Sequence, residues 1–565
     1  MKTKNLTGSE AVIKSLLAEN TDTVFGYPGG AIMPVYDALF DYTDQIKHIL
    51  TRHEQGLIHA AQGYARASGK VGVCLATSGP GATNLITGIA DAMIDSTPLV
   101  CIIGQVPSSL LGSDAFQEAD VIGMTVPCTK WNYQVTQVEE IPEVLSKAFY
   151  IAKSGRPGPV VVVITKDAQV NSADYRYTKT SSVRTYKPNH ELDTYSLQIA
   201  AQMINEAKKP FVVFGQGVIL SEAEESLKSF LEKTGIPAAS TLLGLSALPS
   251  DHPNYMGMLG MHGNYAPNIM TNQCDVLIGV GLRFDDRVTG DVSRYAKQAK
   301  IIHVDIDRAE HNKVVKVDVP VLGDAKEVLE ALLPLVTTSK HQEWTQEFQD
   351  KYDEEFEQVI FKDLHPQTQK ASMGLVVKKL SEQSHNEAIL VTDVGQHQMI
   401  ASRYFQFKKS RSNVTSGGLG TMGFSLPAAL GAQLGAPKRT VIAVIGDGGF
   451  QMTLQELGTI AQYQIPVKIV ILNNSFLGMV RQWQELFFKS RYSFTDMQSP
   501  DFVKVADAYE IPGKKVEKQE HLDSAIAEML AYDGPYLLEV LVEKEDNVFP
   551  MITSGSAVDQ VILQS

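Results

Sequence analysis

The chain has 565 residues, too many for one ordinary core, so roughly two to four domains are expected and three is the natural division. An apolar share of 44%, with 43 glycines and 25 prolines spread along the chain, excludes a disordered or low-complexity protein and suits α/β units with many tight turns. A formal charge of -14 argues against a protein that wraps nucleic acid, which needs a basic stripe, but leaves room for small phosphorylated ligands held by backbone N–H groups and a metal.

The N-terminus MKTKNLTGSE has neither an apolar signal core nor an Arg-rich transit pattern. No run approaches the roughly 20 apolar residues of a membrane span, so a cytoplasmic protein without membrane attachment is expected. Thr7 and Glu10 form a capping box that opens the first helix. Val71–Ala76, Leu99–Ile103 and Val160–Thr165 then read as strands buried on both faces, as in a parallel sheet. A polar stretch, Asp167 to His190, reads as a linker. Beyond it, Phe211–Phe214, Val276–Val280 and Ile301–Ile306 are strand-like, and the charged segment Ser339–Phe361 reads as a connector. The last region contributes Ile389–Thr392, Val441–Ile445, Val467–Leu472 and Tyr536–Val542. The fold class is therefore α/β, in three domains built on mainly parallel sheets flanked by helices, over residues 1–180, 190–345 and 365–565. Cys74, Cys101, Cys128 and Cys274 form no CxxC pair and read as free thiols.

The sharpest local signal is the strand Val441–Ile445 running into Gly446, Asp447, Gly448 and Gly449. A glycine turn there sets backbone N–H groups at the carboxyl end of a sheet, where phosphates bind in open α/β folds. Thr453 and Glu456 read as a second capping box, starting a helix just beyond the turn. One strand–helix–strand crossover later, Asn473 and Asn474 return to the same sheet edge. Asp447 and Asn474 oxygens together suit Mg2+ bridged to a diphosphate. A lone GDG can be a plain turn and a lone NN a helix cap, but the pair at this spacing points to one site.

GDG followed by NN resembles the diphosphate and metal motif of thiamine-diphosphate enzymes, whose fold is then expected in the first and third domains. The resemblance implies Asp447, Asn474 and the Phe476 carbonyl as Mg2+ ligands, with Gly448 and Gly449 at the diphosphate. DVGQHQM, residues 393–399, matches the loop that touches the diphosphate through Gly395, Gln396 and His397. GGLGTMG, residues 417–423, matches the stretch beside the aminopyrimidine, where the Gly420 carbonyl accepts from the 4'-amino group and Met422 bends the cofactor. On local sequence alone Met422 is ordinary packing. Glu54, in TRHEQGLIHAAQGYAR, would by itself be a cap or ion-pair residue. The motif resembles the family's activating glutamate, which shares a proton with the aminopyrimidine. In the family these halves meet across a dimer interface.

From Gly8 to about Leu563 the chain is similar to the large catalytic subunits of biosynthetic acetohydroxyacid synthases. FGYPGGAI resembles their substrate loop, with Gly30 and Ala31 near the cofactor. GQVPSSLLGSDAFQE corresponds to the access-channel segment, placing Pro107, Ala115, Phe116 and Gln117 there, and Lys166 matches another channel residue. Unaided, Phe116 would be a core aromatic and Lys166 a solvated strand-end lysine. GLRFDDR resembles the flavin motif through Gly281, Arg283, Asp285, Asp286 and Arg287. Arg156, Gly215, Gly217, Met261, His262, Asp305, Glu310 and Asp324 lie in segments resembling the rest of an FAD site. Met479, Val480 and Trp483 match positions beside the second substrate. GDGGF stands where many members have GDASF, and His311 replaces a usual aliphatic residue beside the flavin segment.

The resemblance implies decarboxylating condensation of pyruvate with pyruvate or 2-oxobutanoate, giving 2-acetolactate or 2-aceto-2-hydroxybutanoate, the first common step of branched-chain amino acid synthesis. It also implies thiamine diphosphate, Mg2+ and FAD as cofactors, the flavin being structural because the net reaction is non-redox. A homodimer or a tetramer of dimers is implied, with a separate small regulatory subunit. The tail EDNVFPMITSG resembles the family's C-terminal lid, and a complete protein is expected. Pyruvate oxidase and a non-catalytic homologue are the competing readings. The second would lack Glu54, Asp447 or Asn474, and all three are present.

Overall fold

A computed structural model describes residues 4–188 and 190–564. Three six-stranded sheets, every pairing parallel, organise the chain. The first domain contains β1 (Lys4–Thr7), β2 (Thr23–Gly26), β3 (Lys47–Leu50), β4 (Gly72–Ala76), β5 (Leu99–Gln105), β6 (Trp131–Val135), β7 (Pro159–Thr165) and β8 (Ser172–Tyr175). The second contains β9 (Pro210–Phe214), β10 (Ala238–Ser240), β11 (Tyr255–Met258), β12 (Val276–Val280), β13 (Lys300–Asp305) and β14 (Val319–Leu322). The third contains β15 (Ile389–Thr392), β16 (Asn413–Thr415), β17 (Val441–Gly446), β18 (Lys468–Asn473), β19 (Gly513–Val516) and β20 (Tyr536–Leu541), with a small hairpin of β21 (Met551–Ile552) and β22 (Val561–Ile562).

The strand orders explain where sites can form. The first sheet runs β3-β2-β4-β5-β7-β6 and the third β16-β15-β17-β18-β20-β19, the same pattern twice. The middle sheet runs β11-β10-β9-β12-β13-β14, the doubly wound order that binds dinucleotides where the direction of strand succession reverses. Central strands such as β5, β7, β12 and β18 are buried along their length, which is why they read as continuous apolar runs.

One apolar core runs through the first and third domains. At its centre the Glu54–Ser68 helix crosses the Ser425–Gly435 helix at glycine notches. A Cβ at Gly63 would lie 1.9 Å from the Ala428 carbonyl oxygen, and one at Gly431 1.8 Å from that of Ala60. Only glycine permits this approach.

Three local expectations change. The Asp167–His190 stretch is not all linker: Lys166–Val170 is helical and β8 pairs antiparallel with β1. Within Ser339–Phe361 lies the Gln342–Glu355 helix, which buries Trp344 and Phe348 against the second domain, the Trp344 indole N–H donating to the Pro210 carbonyl. Thr453 and Glu456 form no capping box. The helix begins at Asp447 itself, the Thr453 hydroxyl donates to the Gly423 carbonyl, and Glu456 accepts from Arg52. The Thr7–Glu10 capping box forms as read. All four cysteines are free.

Candidate active site

The sequence-predicted residues gather into two groups on one chain. The first stands at the carboxyl ends of β2, β3, β4, β5 and β7. Glu54 is the first residue of its helix, held at that end by His53, whose Nδ1 accepts from the Gln55 N–H at 3.1 Å. The Glu54 Oε2 accepts from Asn84 Nδ2 at 3.0 Å, and its Oε1 lies 3.3 Å from where a Cβ on Gly81 would be. Ala31 donates its N–H to Thr77 Oγ1 at 3.2 Å, and Gly79 packs its backbone on Gln117. Ser108 donates to Asp167 through both N–H (2.9 Å) and Oγ (2.6 Å), tying the Pro107 segment to the strand end that carries Lys166. This face is open: Phe116 is 88% exposed, Lys166 is exposed, and nothing lies within 4 Å of a Cβ built on Gly30.

The second group stands at the carboxyl ends of β15, β17 and β18, where the strand succession reverses direction. Asp447, 1% exposed, accepts from Ser499 Oγ at 2.9 Å and from the Asn474 N–H, and burial pushes its carboxyl up to about 6. Asn474 Oδ1 accepts from the Phe476 N–H at 3.2 Å, and its Nδ2 donates to Gln396 Oε1 at 3.2 Å. Gly446 packs on the His397 ring, Gly449 on Asp393, and Gly448 faces Leu477 and Met422. A Cβ on these glycines would meet the side chains of His397, Leu477 and Asp393 at 2.8, 2.9 and 2.4 Å, so the turn has no room for one. His397 is buried with Nε2 unpartnered, and burial pushes the imidazole down to about 4, so it stays neutral.

A cavity of about 920 Å³ joins this group to the second domain. Its lining contains Gly395, Gly420, Met422, Met479, Val480 and Trp483, together with every flavin-segment residue named above from Arg156 to Asp324. Gly215 and Gly217, after β9, pack backbone to backbone on Gly281, after β12, at the reversal of the middle sheet. Arg156 donates to Glu310 Oε1 at 2.7 Å and to Ser96 Oγ at 2.9 Å. Burial pushes Asp305 up to about 7, and His262 keeps an unpartnered buried Nδ1 at the lining. Asp285 and Asp324 cap helices through the Arg287 and Lys326 N–H groups.

Several residues here carried no sequence signal. Gln482, fully buried, pairs with the Val548 backbone in both directions (2.9 and 3.1 Å). Arg403 donates to the Phe549 and His262 carbonyls, and Ile552 donates to Met261. The segment 545–552 is thereby fastened across the helix carrying Trp483 and the flavin-side loop. Buried glutamine and arginine in helices have no motif; only a distant partner reveals their task. Among the described residues no cluster of three His, Cys, Asp or Glu could hold a metal. The Asp447 site would instead use one carboxylate, one amide and one carbonyl.

Residues 6–124 match the thiamine pyrophosphate enzyme N-terminal TPP binding domain, 197–332 the central domain, and 393–540 the C-terminal TPP binding domain. The chain is 46% identical over 560 residues to the acetolactate synthase isozyme 2 large subunit of Escherichia coli, covering 99% of both chains. It is 46% identical over 572 residues to the acetolactate synthase large subunit of Corynebacterium glutamicum, covering 98% of this chain and 90% of that one. With the probable acetolactate synthase large subunit of Methanocaldococcus jannaschii it shares 44% over 564 residues, covering 98% and 95%. The chain belongs to the acetolactate synthase large subunits of the thiamine pyrophosphate enzymes.

Proposed function

We propose that this thiamine-diphosphate-dependent synthase condenses pyruvate with pyruvate or 2-oxobutanoate in a site made by two chains. The supporting observation is that Glu54, Gly30, Ala31, Phe116, Gln117 and Lys166 stand at the first-domain strand ends and are not among the residues lining the cavity that holds Gly420, Met422, Met479 and Trp483. A second copy would bring the open first-domain face over the third-domain cradle, in a dimer or a tetramer of dimers. The relatives' description as large subunits supports a separate small regulatory partner. No helix among the described residues is long and apolar enough to cross a membrane. Domain limits near residues 180 and 355 fit the matched segments and the sheets.

The residues present fit the cofactors. Oxygen donors from Asp447, Asn474 and the Phe476 backbone suit Mg2+, and His397, whose ring packs on Gly446 beside Asp447, keeps a buried nitrogen without a partner. The doubly wound middle sheet and its glycine contacts suit FAD, with Arg156, Arg283, Arg287, Met261, His262, Asp305 and Glu310 to hold it. Thiamine diphosphate, when bound, supplies the electron sink for loss of CO2 and the nucleophilic carbon. The protein's tasks are to bind, orient and exclude water. Glu54 holds the proton shared with the aminopyrimidine at its carboxylate. Asp447 and Asn474 secure the diphosphate end. Trp483, Met479 and Val480 form an apolar wall for the second 2-oxo acid, and a pocket sensing one methylene discriminates by only about 1–3 kcal/mol.

Product identification from pyruvate alone and from pyruvate with 2-oxobutanoate, each with and without thiamine diphosphate, Mg2+ and FAD, tests this reading. Acetolactate and acetohydroxybutanoate formed without oxygen uptake are expected. Acetate or acetyl phosphate formed with an electron acceptor would reject it.

A further inference from the structure

In the turn 416–421 the N–H groups of Gly417, Gly418 and Thr421 are satisfied by side chains. Gly417 N–H donates to Asp95 Oδ2 at 2.8 Å, and Gly418 N–H to Asp95 Oδ1 at 2.7 Å. Ser416 Oγ donates to Asp91 Oδ1, as does Thr421 Oγ1 at 3.0 Å. The Thr421 N–H closes the turn on Ser416 Oγ at 2.9 Å. Arg66 completes the set, with Nη2 on Asp95 Oδ2 at 2.9 Å and Nη1 on the Thr415 carbonyl at 2.6 Å. Asp91, Asp95 and Arg66 belong to the first domain and lie more than 300 residues away in sequence. Asp91 is 0% and Asp95 1% exposed.

Two buried carboxylates with one guanidinium are a costly way to stabilise a fold, since an apolar contact would serve with less desolvation. A buried polar network whose bonds converge on one turn instead fixes one conformation there, although Asp91 Oδ2 and Arg66 Nε keep no hydrogen-bond partner. The turn needs fixing: Gly420 has a φ of +69°, a Cβ there would meet only Val394, and Met422 follows it at the cavity.

We propose that Asp91 and Asp95 are positioning residues for the cofactor, clamping the turn 416–421 so that the Gly420 carbonyl and Met422 are presented to the aminopyrimidine ring. The inference rests on the placement of that ring at Gly420 and Met422. A misplacement of the turn removes a directed contact, and errors of this kind cost about 10- to 100-fold.

Thiamine diphosphate binding by titration calorimetry, with backbone hydrogen exchange at Gly417 and Gly418, tests it on the full-length protein. Asp91→Ala and Thr421→Val should each weaken binding by about 10- to 100-fold. The double variant should be little worse than Asp91→Ala alone, because Asp91→Ala already removes the contact that Thr421→Val removes. Asp91→Asn keeps an acceptor oxygen and should recover most of the affinity. Asp95→Asn should speed exchange at Gly417 and Gly418. Unchanged affinity in folded Asp91→Ala and Thr421→Val, or strictly additive effects, would overturn the proposal. If Asp91→Ala does not fold, Thr421→Val and Ser416→Ala test the same contacts from the loop side. Met422→Ala separates the two ideas. Weakened binding there with wild-type binding in the clamp variants rejects the clamp alone, and wild-type binding in all of them rejects the placement of the ring.

Discussion

The Arg52 N–H donates to both carboxylate oxygens of Glu456, at 3.0 and 3.2 Å, across 404 residues of sequence. The Arg52 guanidinium reaches the same helix, donating to the Gly458 carbonyl at 2.9 Å and Gln462 Oε1 at 2.8 Å. The loop that delivers Glu54 is therefore fastened to the third domain of its own chain.

Burial pushes the Glu456 carboxyl up from 4.5 to about 7. The folded state then holds a proton that the unfolded state has lost between those values, so this group's contribution to stability is full below pH 4.5 and declines as pH rises through about 7. Denaturant unfolding of the native protein and Glu456→Gln over this range should show a stability difference that shifts against the native protein as pH rises. A pH-independent difference would contradict the assignment.

Glu54→Gln keeps the size of the side chain and its contact with Asn84 but cannot share a proton. It should retain cofactor and Mg2+ binding while turnover falls by about 100-fold or more. Calorimetry and steady-state acetolactate formation measure the two separately. Undiminished turnover would remove Glu54 from the chemistry.

Mixing Glu54→Gln and Asp447→Ala chains tests the two-chain site. Each mixed dimer would hold one site with both defects and one with neither, so random pairing should restore about a quarter of native activity. No recovery after confirmed subunit exchange would place each site within one chain.

Asp447→Ala removes the carboxylate from the proposed metal site. Cofactor affinity should fall by about 10- to 100-fold and lose much of its dependence on Mg2+ concentration. The same Mg2+ titration curve as the native protein would exclude Asp447 as a ligand.

Gly431→Ala drives a methyl to 1.8 Å from the Ala60 carbonyl oxygen. Overpacking between two helices should cost about 1–3 kcal/mol, read as a lower denaturation midpoint. An unchanged midpoint would show that the helices can separate freely.

Much of the fold was legible because buried parallel strands announce themselves: β12 and β15 fall where the apolar runs placed them. The Gln342–Glu355 helix escaped because its burial rests on a narrow stripe, Trp344, Phe348 and Glu355, among charges. Thr453 and Glu456 misled for a different reason. Local spacing suited a cap, but Gly423 and Arg52, distant in sequence, took both side chains. At the site, Asp447 and Asn474 were legible from strand, turn and crossover together. Ser499, which donates to Asp447, was not, since nothing local distinguishes it from any loop serine. Asp91 and Asp95 stand in no motif, and only the fold sets the turn 416–421 against them.

The glycine notches bear on how such a chain can change over generations. Where two helices meet through main-chain oxygens and bare α-carbons, the distance between them is not written in side-chain sizes. Mutation can exchange neighbouring side chains while the gap at Gly63 and Gly431 stays set by the peptide unit itself. The first and third domains thus share a ruler that sequence drift cannot lengthen without striking one of a few glycines. The turns at either end of that ruler, which carry Glu54 and Gly420, inherit its constancy.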